Sequence, residues 1–196
     1  MALNEPARRV TKTTEGLTAE DLAYVSDAVH RFELVNGRLL VREPAGFRHG
    51  RVATTLAIVL GTHVREHRLG VVLTADTGFV LRRGPDTVRA PDVCFVSRDR
   101  IPDPEPVSFA ELAPDLAVEV VSPSNTHAEI AGRVRDLLAA GTRLVWVFDP
   151  ELRTATIHRP GREPEHLTPH GEINGEGVVP GFRCSLEVLF EEPGKG

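Results

Sequence analysis

Glu119 stands in the run Asp115-Leu-Ala-Val-Glu-Val-Val121, in which the positions around it are apolar. An ionised carboxylate alone in such a strand is costly, so it calls for a cation, a metal or a raised pKa. Asp92 follows Pro91 and opens a second apolar stretch, Val93 to Val96. If those two strands are neighbours, their backbones lie about 4.8 Å apart. Two carboxylates at that spacing can share one hard cation, with Mg²⁺–oxygen bonds of about 2.1 Å. The competing readings are that Asp92 caps a turn and that Glu119 pairs with an arginine.

Other chemical candidates carry less. His63 and His67 are four residues apart, a possible ligand spacing, but no acidic residue completes a His-Glu-x-x-His pattern. His49 either faces the carboxylates or sits in solvent, and His127 is expected in solvent. Cys94 lies in an apolar strand and reads as an inert core thiol. Ser122-Pro-Ser124 shapes a strand-to-helix turn. The sequence contains no Gly-x-Ser-x-Gly, phosphate-binding glycine loop or dinucleotide fingerprint.

The elements that must position these residues can be read from periodicity. Thr18 and Asp21 form a capping arrangement for a helix running to about Val29. Asn36-Gly37 between Phe32–Val35 and Arg38–Val41 is a hairpin turn, because both residues tolerate positive φ. Val52, Leu56, Val59, Leu60 and Val64 define an amphipathic helix from about His49 to Arg68, stopped by Gly70. Val71–Leu73 and Gly78–Leu81 are two strands or one bent hairpin. A proline-rich stretch from Ser97 to Pro114 reads as a surface loop. Thr126 and Glu129 make a capping box for a second helix, closed by Gly141. Leu144–Phe148 is a buried strand, Thr154–His158 its hairpin partner, and a short helix follows Ser185. Strand, helix, strand implies a right-handed crossover and a parallel pair, and the hairpins imply antiparallel pairs. The class is α/β, a mixed sheet with a helix on each side. Residues 1–16 form a loose tail, and 17–190 form a single domain.

Composition sets limits on function. The 196 residues are 41% hydrophobic and 26% charged, which excludes a wholly disordered chain. No apolar run approaches the roughly 18 residues of a membrane helix. Two cysteines are too few for a disulfide scaffold, and a reducing cytoplasm is expected. The net charge of −5 disfavours non-specific binding along a nucleic-acid backbone without excluding a local basic groove. The only lysines are Lys12 and Lys195, near the chain ends, so a mechanism needing a core lysine meets an obstacle.

The segments Phe32-Glu-Leu-Val-Asn-Gly-Arg-Leu, Arg48-His49, Pro91-Asp92-Val-Cys-Phe-Val, Leu116-Ala-Val-Glu-Val-Val-Ser-Pro-Ser124 and Ala140-Gly-Thr-Arg-Leu-Val-Trp-Val-Phe-Asp-Pro150 occur in this order. The ordered set, spanning about Leu17 to Phe190, resembles the Uma-two family of restriction-endonuclease-like proteins, a branch of the PD-(D/E)xK nuclease superfamily. The resemblance implies a restriction-endonuclease-like core with an N-terminal helix and hairpin, and metal-dependent phosphodiester cleavage. It makes Asp92 and Glu119 the ligands of Mg²⁺, with Mn²⁺ as substitute. The superfamily lysine falls on Val121; in this branch it moves to the next helix, where the matching residue is Arg133. Glu33 and His49 match further recurrent positions, in the outer ligand shell or against substrate. An arginine can stabilise charge but cannot act as a base, so weak cleavage is expected with Arg133 in place of the lysine, and the alternative for Arg133 is a surface pair with Glu129, one helical turn earlier. The implied partner is nucleic acid, with DNA favoured. The alternative function is a non-catalytic binding or assembly protein on the same scaffold, and a homodimer is compatible with both.

Overall fold

The computed structural model describes residues 15–25, 31–42 and 44–191. The Thr18–Asp21 capping box forms and starts α1 (Ala19–Ala23), which Tyr24 already closes. This helix is shorter than its expected run to Val29, of which residues 26–29 lie outside the described ones, as does most of the expected tail. β1 (Arg31–Val35) and β2 (Arg38–Arg42) make the expected hairpin, with Asn36 and Gly37 at φ 52° and 73°. α2 (Phe47–Glu66) begins two residues earlier than its apolar pattern indicates and buries Val52, Leu56, Leu60 and Val64.

β3 (Gly70–Thr74) and β4 (Phe79–Arg82) are separate strands and not a hairpin. β4 pairs with β5 (Thr87–Arg89), whereas β3 pairs with β6 (Val93–Ser97). The chain therefore changes sheets between Thr74 and Phe79. Gly70 permits the pairing of β3 with β6. Its φ is 156°, and a Cβ there would lie 2.1 Å from the Val96 carbonyl oxygen. Gly70→Ala is expected to lose about 1–3 kcal/mol in a denaturant melt, as overpacking does; an unchanged midpoint would show that the strand edge yields freely.

The remaining strands are β7 (Leu116–Val120), β8 (Leu144–Asp149), β9 (Thr154–His158), β10 (Glu165–Leu167), β11 (Glu172–Asn174) and β12 (Arg183–Ser185). α3 (His127–Ala139) crosses from β7 to β8, and α4 (Leu186–Phe190) follows β12, its Ser185 cap accepting from the Glu187 N–H. The central sheet has the order β10-β9-β8-β7-β6-β3, with β7 and β8 parallel as the crossover requires. A second sheet, β2-β1-β5-β4, is antiparallel throughout, and β11 pairs with β12.

The two main helices cover opposite faces of the central sheet. The buried stripe of α2 packs on Val93, Phe95, Val118, Trp146 and Phe148. Leu137 and Val134 of α3 pack on Ala117, Val145 and Val147. Residues alternate between faces along a strand, so β7 puts Val118 under α2 and Ala117 and Glu119 under α3. The mixed α/β class is as read from the sequence.

Candidate active site

β6 and β7 are antiparallel neighbours, with Val93 opposite Val118 and Cys94 opposite Ala117. Continuing this register by one residue sets Asp92 opposite Glu119, and the Asp92 N–H donates to the Val118 carbonyl at 3.0 Å. Directly opposed side chains on an antiparallel pair have Cβ atoms about 4.5–5.5 Å apart. The two carboxylates thus emerge side by side, on the face that α3 covers.

Their environments differ. Asp92 is 7% exposed. Its Oδ2 accepts from the Val120 N–H at 2.8 Å and lies 3.0 Å from His49 Nε2. Burial pushes the Asp92 carboxyl up, but His49, the Val120 N–H and Arg133 outweigh it and hold the pKa below the usual range. Glu119 is 1% exposed. Burial dominates there and the charges of Asp92 and Glu33 add to it, so its pKa rises to about 7 despite Arg133. Arg133 lowers both carboxyls, but for Glu119 desolvation overrides it. Glu119 Oε2 accepts from Arg133 Nε at 2.7 Å, while Oε1 is buried without a hydrogen-bond partner.

Arg133 points inward from α3 and is 1% exposed. Its Nη1 donates to Glu33 Oε2 at 2.5 Å and its Nη2 to the Ala90 carbonyl at 3.1 Å. Glu129, the alternative partner, instead closes the capping box by accepting from the Thr126 N–H at 2.7 Å. Glu33 comes from β1, in the second sheet. Its Oε2 also accepts from Arg89 Nη1 at 3.0 Å and its Oε1 from the Ala90 N–H at 3.0 Å. Burial again raises this carboxyl, but Arg133 and Arg89 reverse the shift and hold it at about 2. Arg89 Nη2 then donates to Asp136 Oδ2 at 2.6 Å.

The five residues singled out in the sequence therefore form two linked groups, His49–Asp92 and Glu119–Arg133–Glu33. Sequence reasoning missed Arg89 and Asp136. The one available signal was that Asp136 stands three residues after Arg133, on the same side of α3.

No group of three or more His, Cys, Asp or Glu side chains suited to a metal exists among the described residues. The two-carboxylate set still fits Mg²⁺, which keeps several waters and needs only one or two protein carboxylates. The unpartnered Glu119 Oε1 supplies a buried acceptor beside Asp92, and both Asp92 contacts use the same oxygen.

Glu33, His49, Asp92 and Arg133 line a cleft of about 1460 Å³. It lies between the second sheet, α2 and the first turns of α3, and is larger than the roughly 300–1,000 Å³ of a small-molecule pocket. A hollow of about 380 Å³, where Arg100 and Arg143 meet Asp115, contains none of the five residues. Cys94 is buried and its thiol is pushed up to about 12, as suits an inert core residue. His63 and His67 stack at 4.2 Å, and His63 Nε2 donates to the Pro180 carbonyl, a packing role.

The family model Uma2, described as "Putative restriction endonuclease", matches residues 19–187. No curated protein matches the chain. Among solved structures, the chain is similar to a "putative nuclease belonging to DUF820" from Anabaena variabilis ATCC 29413, with a TM-score of 0.77 and 21% identity. That likeness covers 89% of this chain and 97% of the other, and it concerns the fold.

Proposed function

The chain belongs to the Uma2 family of putative restriction endonucleases, and from that premise we propose that it hydrolyses phosphodiester bonds of DNA with Mg²⁺ or Mn²⁺ held by Asp92 and Glu119. The observation that carries this is the buried, unpartnered Glu119 Oε1 on the strand position opposite Asp92. A divalent cation would supply, when bound, a water more acidic than bulk water and positive charge for the scissile phosphate. His49 and the Val120 N–H keep Asp92 ionised and fixed. Burial would lower the Arg133 pKa, but Glu119 and Glu33 raise it, so Arg133 contributes charge without accepting a proton.

The test is a Mn²⁺ series with plasmid DNA, in which turnover appears in the wild type and disappears in Asp92→Ala. Absence of turnover in both would overturn the reading. A binding measurement adds a sign. Because the pKa of Glu119 is raised to about 7, a proton competes with the cation below that pH. Mn²⁺ binding is expected to tighten as pH rises through 7, by up to about tenfold per pH unit for one competing proton. Calorimetric titration at pH 6 and pH 8 measures this, and equal affinities would count against Glu119 as ligand. The Mn²⁺-induced rise in melting temperature should vanish in Glu119→Gln, which retains an oxygen for Arg133 Nε.

A second reading has its own support. Arg133 is already engaged on both Glu119 and Glu33, as expected if the scaffold binds without cutting. Nucleic-acid binding with no turnover across the Mn²⁺ series would favour it. A homodimer fits either reading and would show as a doubled mass in sedimentation. No helix among the described residues is long and apolar enough to cross a membrane; a cytoplasmic location is part of the proposal.

A further inference from the structure

We infer that Arg89 and Asp136 are positioning residues of the site: acting through Glu33, they fix where the Arg133 guanidinium stands against Glu119. The effect on turnover rests on the nuclease reading above, to which the inference adds the side chains that hold its charged group in place.

The brace begins in the second sheet. β1 and β5 are antiparallel neighbours, with Leu34 opposite Val88. Those two side chains pack in one small apolar cluster with Leu22 and Val80. Alternation along the strands turns Glu33 and Arg89 to the other face, and continuing the register by one residue sets them opposite each other. Arg89 Nη1 donates to Glu33 Oε2 at 3.0 Å. From α3, Arg133 Nη1 donates to the same oxygen at 2.5 Å. Asp136 stands three residues further along α3, on the same side of the helix. Its Oδ2 accepts from Arg89 Nε at 3.1 Å and from Arg89 Nη2 at 2.6 Å.

The Glu33 carboxylate is thereby taken up in holding the two arginines. Its Oε2 serves both guanidiniums, its Oε1 accepts from the Ala90 N–H, and the side chain is 3% exposed. Ala90 ties in a third element, because its carbonyl accepts from Arg133 Nη2 and it lies two residues before Asp92. The second sheet, α3 and the segment that enters β6 are joined at this point.

Asp136 decides how Glu33 is shared. It occupies two of the Arg89 donors and leaves Nη1 for Glu33, whose Oε2 is then divided between Arg89 and Arg133. A neutral acceptor in its place holds Arg89 by bonds about half as strong. Arg89 then turns further onto Glu33, and Arg133 loses part of the support that orients its fork. The side-chain hydrogen bonds of Arg89 and Asp136 go to each other and to Glu33, not to Asp92 or Glu119, so they act through Arg133. Outer partners of this kind cost about tenfold to a hundredfold in activity when replaced.

The experiment has two readouts on the full chain. The first needs neither metal nor substrate. In a ¹H–¹⁵N correlation spectrum in EDTA, the Nε–H signal of Arg133, held at 2.7 Å on Glu119 Oε2, is identified by its loss in Arg133→Lys. Asp136→Asn keeps the shape at a side chain 24% exposed, and Arg89→Lys keeps the charge without the fork. Each should shift or broaden the Arg133 signal, and Asp136→Glu should return it. The second readout is steady-state cleavage of plasmid DNA with Mn²⁺. There Asp136→Asn should lower kcat by about tenfold to a hundredfold with KM for DNA within about twofold of wild type, and Asp136→Glu should restore kcat. A signal that stays in place in both Asp136→Asn and Arg89→Lys would overturn the inference, whatever happens to the melting temperature. So would a shifted signal with kcat unchanged, or a change confined to KM, which would make these residues substrate contacts. A wild type that cuts no DNA would overturn the nuclease reading instead; the metal-free spectrum then decides the brace by itself, a shifted signal upholding it and an unmoved one overturning it.

Discussion

Arg133→Met is expected to cost about 3–5 kcal/mol at pH 8, the loss typical of removing one partner from a buried ion cluster. Arg133 neutralises two carboxylates at once, at 2.7 Å on Glu119 and 2.5 Å on Glu33. Methionine fills similar space but leaves both carboxylates short of a partner; Glu33 keeps Arg89, whereas Arg133 is the cation that acts on Glu119. The loss should also depend on pH. The folded-state pKa of Glu119, already raised from 4.5 to about 7, rises further without Arg133. A raised carboxyl contributes stability that is fully present below its unfolded pKa and is lost as pH rises through its folded pKa. The deficit of the variant is therefore largest above neutral pH and shrinks toward pH 5, where Glu119 takes up its proton. Glu33 titrates elsewhere: held at about 2, its contribution is present above 4.5 and lost only in strong acid. Urea melts of both proteins at pH 5 and pH 8 measure the difference. A deficit independent of pH would mean that Arg133 acts through packing and not through charge.

Glu119 was legible in the sequence because a charged residue in a fully apolar strand has few physical explanations, and Asp92 because it opens the apolar strand that precedes it. Their opposition followed once β6 and β7 proved to be neighbours. The orientation of Arg133 was not legible: at the edge of an apolar stripe it could turn either way, and the choice depends on Glu33 arriving from a different sheet. That sheet was the least readable part of the fold. β5 is three residues long, too short for an alternating pattern, and the exit of β4 from the neighbourhood of β3 depends on pairing partners distant in sequence. Arg89, carried on β5, was missed for the same reason. His49 could face solvent or the carboxylates on periodicity alone; its place 3.0 Å from Asp92 is set by where the start of α2 lies against the start of β6, a purely tertiary relation.

Arg133→Lys is expected to raise metal-dependent cleavage by roughly tenfold or more, a barrier lower by about 1.4 kcal/mol or more, while lowering stability. The guanidinium spans three acceptors from three nitrogens: Glu119 Oε2, Glu33 Oε2 and the Ala90 carbonyl. A lysine ammonium is one compact charge and cannot reproduce that fork. The lost hydrogen bonds to charged groups cost about 1.5–3 kcal/mol, which a urea melt would register. What the site gains is room at Glu119. With arginine, a permanent positive charge is locked 2.7 Å from one Glu119 oxygen and repels a cation approaching the other. Lysine can swing away, and when partly buried it can shift its pKa toward neutrality and exchange a proton, which arginine cannot. The substitution installs the residue type that the sequence resemblance implies at the position of Arg133. The measurement is the initial rate on plasmid and on single-stranded DNA for both proteins across a Mn²⁺ series. If the native protein is fast and the lysine variant slower, arginine is the adapted residue, and charge stabilisation by a fixed guanidinium suffices for the chemistry.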